Sequence, residues 1–142
     1  MKEQLAQYPV YFEQKVQWGE MDEFKHVNNS VYLKYFENAR IKFMEESGML
    51  QQMAIDGIGP ILAKVEVNFK LPLTYPDTIR TYFRVKSLGR TSMAVEHVVW
   101  SKKYDQIACH GDGVVVMLDY NNNTTSPLSD ALREQMKAYM ID

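Results

Sequence analysis

Cysteine is nearly absent. Cys109 is the one thiol in 142 residues, so no internal disulfide can form, and a reducing cytoplasm is the compartment expected. No apolar run is long enough to span a bilayer, and the opening Met1-Lys2-Glu3-Gln4-Leu5 lacks the hydrophobic stretch of a secretory signal. The formal net charge is −2 and the basic residues form no run, which gives nucleic acid no electrostatic handle. The sequence also lacks a GxSxG elbow, a P-loop, a GxGxxG turn, an HExxH helix and any cysteine pair at zinc-ligand spacing. Asp22 and His26 are four residues apart, but on a predicted loop, where that spacing has no special meaning. His97 and His110 fall on separate predicted strands. No metal site and no cofactor are therefore expected. Without repeats, low-complexity tracts or a linker, residues 1–142 read as one domain.

What is present is an ordinary globular balance, 46% hydrophobic and 24% charged, and one dense stretch from Trp18 to Arg40. Asp22, His26, Asn28 and Asn29 lie within eight residues of one another, just before a strongly patterned helix. At about 100° per residue, Tyr32, Tyr35, Phe36, Ala39 and Phe43 share one face, with Leu33 and Met44 on its flank. That apolar arc is broader than the stripe of a surface helix and calls for a wrapping partner, most simply a curved sheet. Asn28, Asn29 or Ser30 supplies the N-cap, and Ser47-Gly48 supplies the stop.

The rest of the chain alternates. Val10–Trp18 reads as a strand with Phe12, Val16 and Trp18 on one side, and Gln51–Pro60 as a connection. Ile61–Leu71 alternates almost without fault, with Ile61, Ala63, Val65, Val67, Phe69 and Leu71 facing one way. Thr78–Leu88, Thr91–Ser101 and Ile107–Leu118 follow as strands, with Gly111 and Gly113 suggesting a bulge or a close backbone approach. Pro127–Ile141 reads as a terminal helix. The expected class is α+β: a long helix wrapped by a curved five-stranded antiparallel sheet, the last four strands in a meander.

Asp22 is either a turn or cap residue or, at the mouth of a buried helix with His26 and Asn29 nearby, a nucleophile or general base. His26 either bonds a loop carbonyl or assists Asp22. Asn28 and Asn29 either cap the helix or orient a water and donate to a carbonyl oxygen. Glu37 lies off the apolar face and is expected to be exposed, to pair with Arg40 or to reach the loop. Cys109, inside a strand, reads as small apolar filler.

The pattern Asp22-x-x-x-His26-Val-Asn-Asn-x-x-Tyr32, followed by Tyr-Phe-Glu-Asn-Ala-Arg40, resembles hotdog-fold acyl thioesterases of the 4-hydroxybenzoyl-CoA thioesterase type. Val67 to Asp77 and the hairpin Gly89-Arg90-Thr91-Ser92 extend the similarity over most of the chain. The resemblance implies hydrolysis of an acyl-CoA thioester. Asp22 would act as nucleophile or general base, His26 or Asn29 would assist it, and the N–H groups of Asn29 to Val31 would polarise the carbonyl. Two positions depart from the family's patterns: Phe24 stands where a plant branch has Asn, and Asn29 where a bacterial branch has His. The resemblance also implies a homodimer or homotetramer with the site at the protomer interface. Coenzyme A would be held there, as part of the substrate, by Lys64, Arg90 and Ser92. Trp18, Tyr32, Tyr35 and Phe36 cluster around Asp22 in sequence and would shape an acyl pocket for short, medium or aryl groups. The alternatives are an acyl carrier protein as the thioester's carrier, or a hotdog module that binds acyl-CoA without hydrolysing it.

Overall fold

The computed structural model describes residues 2–141. A short helix α1, Lys2–Leu5, which no sequence signal marked, precedes strand β1, Val10–Lys15. β1 ends before the expected Trp18. Val16 is still buried, its N–H donating to the Asp77 carbonyl at 2.9 Å. Trp18 opens a 3₁₀ turn, Trp18–Glu20, and is 72% exposed. The cause is local: Glu20 Oε1 accepts from the Gln17 N–H at 2.7 Å, a capping box that bends the chain out of the sheet.

Helix α2, Asn29–Glu46, is the long helix that the spacing predicts. Asn28 caps it, accepting from the Ser30 N–H at 3.0 Å. Tyr32, Tyr35, Phe36, Ala39 and Phe43 are buried as their spacing requires, and each fully buried aromatic contributes about 1.5–3 kcal/mol. Beyond Gly48 the expected connection is a second helix, α3, Met49–Asp56. The Asp56-Gly57 pair, a turn signal in the sequence, is its C-cap: Gly57 takes φ 74° and returns its N–H to the Met53 carbonyl.

The remaining strands are β2 (Ile58–Phe69), β3 (Thr78–Leu88), β4 (Ser92–Ser101), β5 (Gln106–Asp119) and a two-residue β6 (Thr124–Thr125). The ladders are antiparallel in the order β1-β3-β4-β5-β2, with β6 paired to the end of β5. The five long strands curl around α2, giving the expected α+β architecture. The meander holds for β3 to β5 and fails for β2. β1 already occupies the outer side of β3, Tyr11 opposite Tyr82, so β2 takes the free side of β5, Val67 opposite Gly111. The α2–α3 pair carries the chain from one sheet edge to the other. A register shift between Leu62 and Lys64 also breaks the alternation of β2. Leu62 therefore lies opposite buried Val115, while Ile61 turns to the other face and stays exposed.

Two core clusters divide α2 between them. Phe43, Phe83, Met93 and Met117 fill the half near its C-terminus, and Tyr32, Tyr35, Phe36, Leu73 and Ile79 the half near its N-terminus. Gly111 is a close approach rather than a bulge: a Cβ there would lie 2.4 Å from Phe36 Cε2. On the outer face, Leu5 packs against Tyr82, Val98 and Trp100. The terminal helix is α4, Asp130–Met136, capped by Ser129 and followed by a 3₁₀ turn, Lys137–Tyr139. Among the described residues, no helix is long and apolar enough to cross a membrane.

Candidate active site

The segment between the 3₁₀ turn and α2 is a tight loop closed on itself. The Asp22 N–H donates to the His26 carbonyl at 2.8 Å, and the Lys25 N–H to the Asp22 carbonyl at 3.0 Å. Lys25 takes φ 65° to allow this. Asp22 Oδ1 accepts from the Phe24 N–H at 2.9 Å, so the carboxylate is fixed by its own loop, with Oδ2 left over.

Three bonds anchor the loop to the core. The Val27 N–H donates to the Leu73 carbonyl at 2.8 Å, and the Asn28 N–H to the Glu20 carbonyl at 3.0 Å. The Tyr35 hydroxyl, fully buried in α2, donates to Glu20 Oε1 at 2.8 Å. Burial first, and then the Glu20 carboxylate, hold Tyr35 well above its ordinary pKa, so it stays a donor. Tyr32 is pushed up to about 12 by burial, and its hydroxyl accepts from the Leu73 N–H at 3.2 Å.

The helix mouth differs from expectation in one respect. Asn28 takes two of the three N–H groups proposed to meet the substrate: Ser30 N–H donates to its Oδ1 at 3.0 Å and Val31 N–H to its carbonyl at 2.9 Å. The Asn29 N–H keeps no acceptor among the described residues. It is a first-turn donor, at the positive end of the helix dipole.

Asp22, His26 and Asn29 all open on one basin of about 350 Å³. Its apolar side is Phe24, Val27 and Tyr32, and its far wall is the segment from Phe69 to Pro72. The Phe69 and Tyr32 rings, which both line it, meet edge to face with centroids 5.2 Å apart. Sequence reasoning did not assign this wall. The signal available was a pair of large apolar residues, Phe69 and Leu71, running off the end of a strand into Pro72.

The other candidates are scattered. Tyr32 lines the basin, but Trp18 does not. Tyr35 and Phe36 are wholly core: Tyr35 anchors Glu20, and Phe36 stacks on the His97 ring at 4.6 Å. Lys64 lies beside Lys86 and Asp112 in a separate depression. Arg90 and Ser92 lie at the β3–β4 turn, and neither lines the basin. Glu37 bridges to Lys34 at 3.2 Å, and its charge also acts on Arg40, opposing the fall in the Arg40 pKa that burial causes. Burial pushes the Cys109 thiol up to about 12, which keeps it unreactive.

One group of metal-ligating side chains occurs among the described residues: Glu96, His110 and Asp112. It includes neither Asp22 nor His26, and its carboxylates are already balanced by Arg84 at 2.6 Å and Lys86 at 3.2 Å.

Comparisons with known proteins identify the family. A family model described as the thioesterase-like superfamily matches residues 16–136. The long-chain acyl-CoA thioesterase FadM of Escherichia coli (strain K12) is 24% identical over 123 residues, covering 87% of this chain and 93% of that protein. The chloroplastic acyl-acyl carrier protein thioesterase ATL3 of Arabidopsis thaliana is 26% identical over 108 residues, 75% of this chain and 57% of that one. A solved thioesterase of Thermus thermophilus, complexed with coenzyme A and Zn, is 30% identical with a TM-score of 0.80, covering 93% of this chain and 95% of that one. The family match takes in the site loop, the central helix, four of the five long strands and α4, so the chain belongs to the thioesterase-like superfamily and is a thioester hydrolase with the hotdog fold.

Proposed function

We propose that the chain hydrolyses acyl-CoA thioesters in the basin at the mouth of α2. The carrying observation is that the Asp22 carboxylate, already positioned by the Phe24 N–H, shares that basin with Asn29, whose N–H keeps no acceptor among the described residues. The Asn29 N–H polarises the thioester carbonyl, with the helix dipole behind it. Asp22 then acts in one of two ways. As nucleophile it forms an acyl-enzyme anhydride, releases the thiol, and water cleaves the anhydride; as general base it takes a proton from the water that attacks. His26 and Asn29 are the groups within the basin to assist it. Among the described residues Asp22 belongs to no set of three metal ligands, and the proposed reaction uses no metal; exhaustive chelation is expected to leave turnover unchanged.

The acyl group is short, medium or aryl. A basin of about 350 Å³ is near the small end of ligand sites, and the Tyr32 and Phe69 rings narrow it. The enzyme is a homo-oligomer, since β2 is a free sheet edge with Ile61, Leu62 and Phe69 exposed along it. A second protomer then brings Lys64, Arg90 and Ser92 to the coenzyme A phosphates. The lone, buried Cys109 fits a cytoplasmic location.

The test is thiol release from acyl-CoA of increasing chain length, with benzoyl-CoA alongside. The expected kcat/KM climbs and then falls, gaining at most about 0.8 kcal/mol per methylene that fits. A profile still rising at palmitoyl-CoA contradicts the short acyl pocket. Turnover confined to acyl carrier protein favours that carrier, the activity named for the Arabidopsis relative.

A further inference from the structure

The segment 69–78 walls two depressions. Residues 69–72 form the far wall of the basin. Residues 75–78 line a separate cleft of about 630 Å³, together with Lys15, Val16, Lys102 and Lys103. Thr78 sets two of these lysines in place. It lies opposite Lys15 in the β1–β3 ladder, and its carbonyl accepts from the Lys102 N–H at 3.0 Å. Asp77 sets the third. Its buried carboxylate accepts from the Ser101 hydroxyl and, at 3.0 Å, from the Lys103 N–H.

The three ammonium groups keep their charge. No carboxylate bridges Lys15, Lys102 or Lys103 among the described residues. Asp77, the carboxylate in the lining, has both oxygens engaged in the bonds just given. Glu13 is bridged to Arg80 at 2.9 Å, and Lys102 is the weakest of the influences on it. Asp105 accepts from the Trp100 indole N–H at 3.0 Å. The Lys103 ammonium donates to Thr74 Oγ1 at 3.3 Å and lies 5.2 Å from the centroid of the Tyr104 ring, neither of them an anion. A cleft lined by charge of one sign concentrates the field and draws anions in. Lysine meets phosphoryl oxygens as a mobile point charge. Tyr75, 47% exposed, adds an aromatic ring on which a flat base can stack.

We propose that this cleft binds a nucleotide, its phosphates met by Lys15, Lys102 and Lys103 and its base lying on Tyr75. The phosphates belong either to a free nucleotide or to the nucleotide end of coenzyme A. Only the second source rests on the acyl-CoA reading above, and neither depends on the role given to Asp22.

ADP added to the full chain is the probe, followed by amide shifts in ¹⁵N-labelled protein and by equilibrium dialysis. Saturable binding is expected with a dissociation constant of about 1 mM or tighter. The largest shifts are expected at the amides of Thr78, Lys102 and Lys103. Lys15→Gln/Lys102→Gln changes two exposed side chains and is expected to keep the wild-type Tm while weakening ADP at least about tenfold. Lys137→Gln, on the exposed face of α4, is expected to leave ADP binding unchanged. Tyr75→Leu is expected to weaken ADP and not pyrophosphate. Binding without saturation overturns the proposal, as do shifts confined to other parts of the chain. So does a Lys137→Gln effect as large as that of the double variant, which marks general attraction to positive charge. Equal affinity of the wild type for pyrophosphate and ADP overturns the nucleotide assignment. Thiol release from acyl-CoA by the double variant then identifies the source. A raised KM at unchanged kcat assigns the phosphates to coenzyme A, and an unchanged KM assigns them to a separate nucleotide. A chain that binds ADP as described and releases no thiol defeats the acyl-CoA reading and leaves the nucleotide site standing.

Discussion

Tyr35→Phe separates anchoring the site from touching the substrate. The substitution removes one atom, the hydroxyl that donates to Glu20 Oε1 at 2.8 Å, and leaves a ring of the same shape in a fully buried position. A hydrogen bond to a charged acceptor is worth about 1.5–3 kcal/mol. Here the lower end applies, because Glu20 is only half-buried and Oε1 still accepts from the Gln17 N–H at 2.7 Å. A loss of about 1.5 kcal/mol lowers Tm by roughly 5 °C in a chain of this length. The same Glu20 accepts the Asn28 N–H through its carbonyl, so loosening it loosens the cap and the Asp22 loop together. The expected kinetic result is a severalfold fall in kcat with KM and acyl-chain preference unchanged. Differential scanning calorimetry and a thiol-release assay measure both halves. An unchanged Tm refutes the anchoring role, and an altered chain-length preference shows that Tyr35 borders the acyl group after all.

Gly111→Ala is expected to destabilise by about 1–3 kcal/mol, read by chemical denaturation, because the new methyl lies 2.4 Å from a Phe36 ring that is backed by His97; Phe36→Leu in the same chain is expected to restore part of the loss. Acid is expected to unfold the protein in two overlapping steps. His97 stays neutral in the fold down to about pH 3 while the unfolded chain gains a proton below about 6.5, so stability falls by up to about 1.4 kcal/mol per pH unit through that window. Burial alone would raise the pKa of Glu96, but hydrogen bonds from Arg84, Tyr8 and His110 pull it to about 2; its contribution is complete above about 4.5 and is lost as pH falls towards 2. Denaturation midpoints from pH 7 to pH 3 check both, and the slope between pH 6 and pH 4 is expected to flatten in His97→Gln.

The parts of this fold legible in sequence are those where one physical pattern dominates. The broad face of Tyr32, Tyr35, Phe36, Ala39 and Phe43 required a wrapped helix, and β3 kept its expected bounds even with a register shift between Val85 and Ser87. Asp22, His26 and Asn29 do share a basin, as adjacent residues at one loop-to-helix junction are apt to. Failures arose where tertiary context overrode local pattern. The partner of β2 depended on β1 already holding the side of β3, and one extra residue near Ala63 reversed the facing of Ile61. Gly48 and Gly57 bracket a helix, although glycine and Asp-Gly read equally well as loop. Tyr35 and Phe36 follow the helix into the core, so closeness to Asp22 in sequence did not make them pocket walls. The Phe69–Pro72 wall comes from a segment distant in sequence, and Asn28 consumes donors that a motif alone assigns to substrate.

The most direct measurement is kcat/KM of Asp22→Asn against acyl-CoA. An asparagine keeps the oxygen that accepts from the Phe24 N–H and the shape of the loop, while removing the charge needed for attack or proton abstraction. Circular dichroism and Tm are expected to match wild type, and kcat/KM to fall at least about a hundredfold, the scale of losing a general base or nucleophile. A folded Asp22→Asn enzyme that releases thiol at the wild-type rate contradicts the role assigned to this carboxylate.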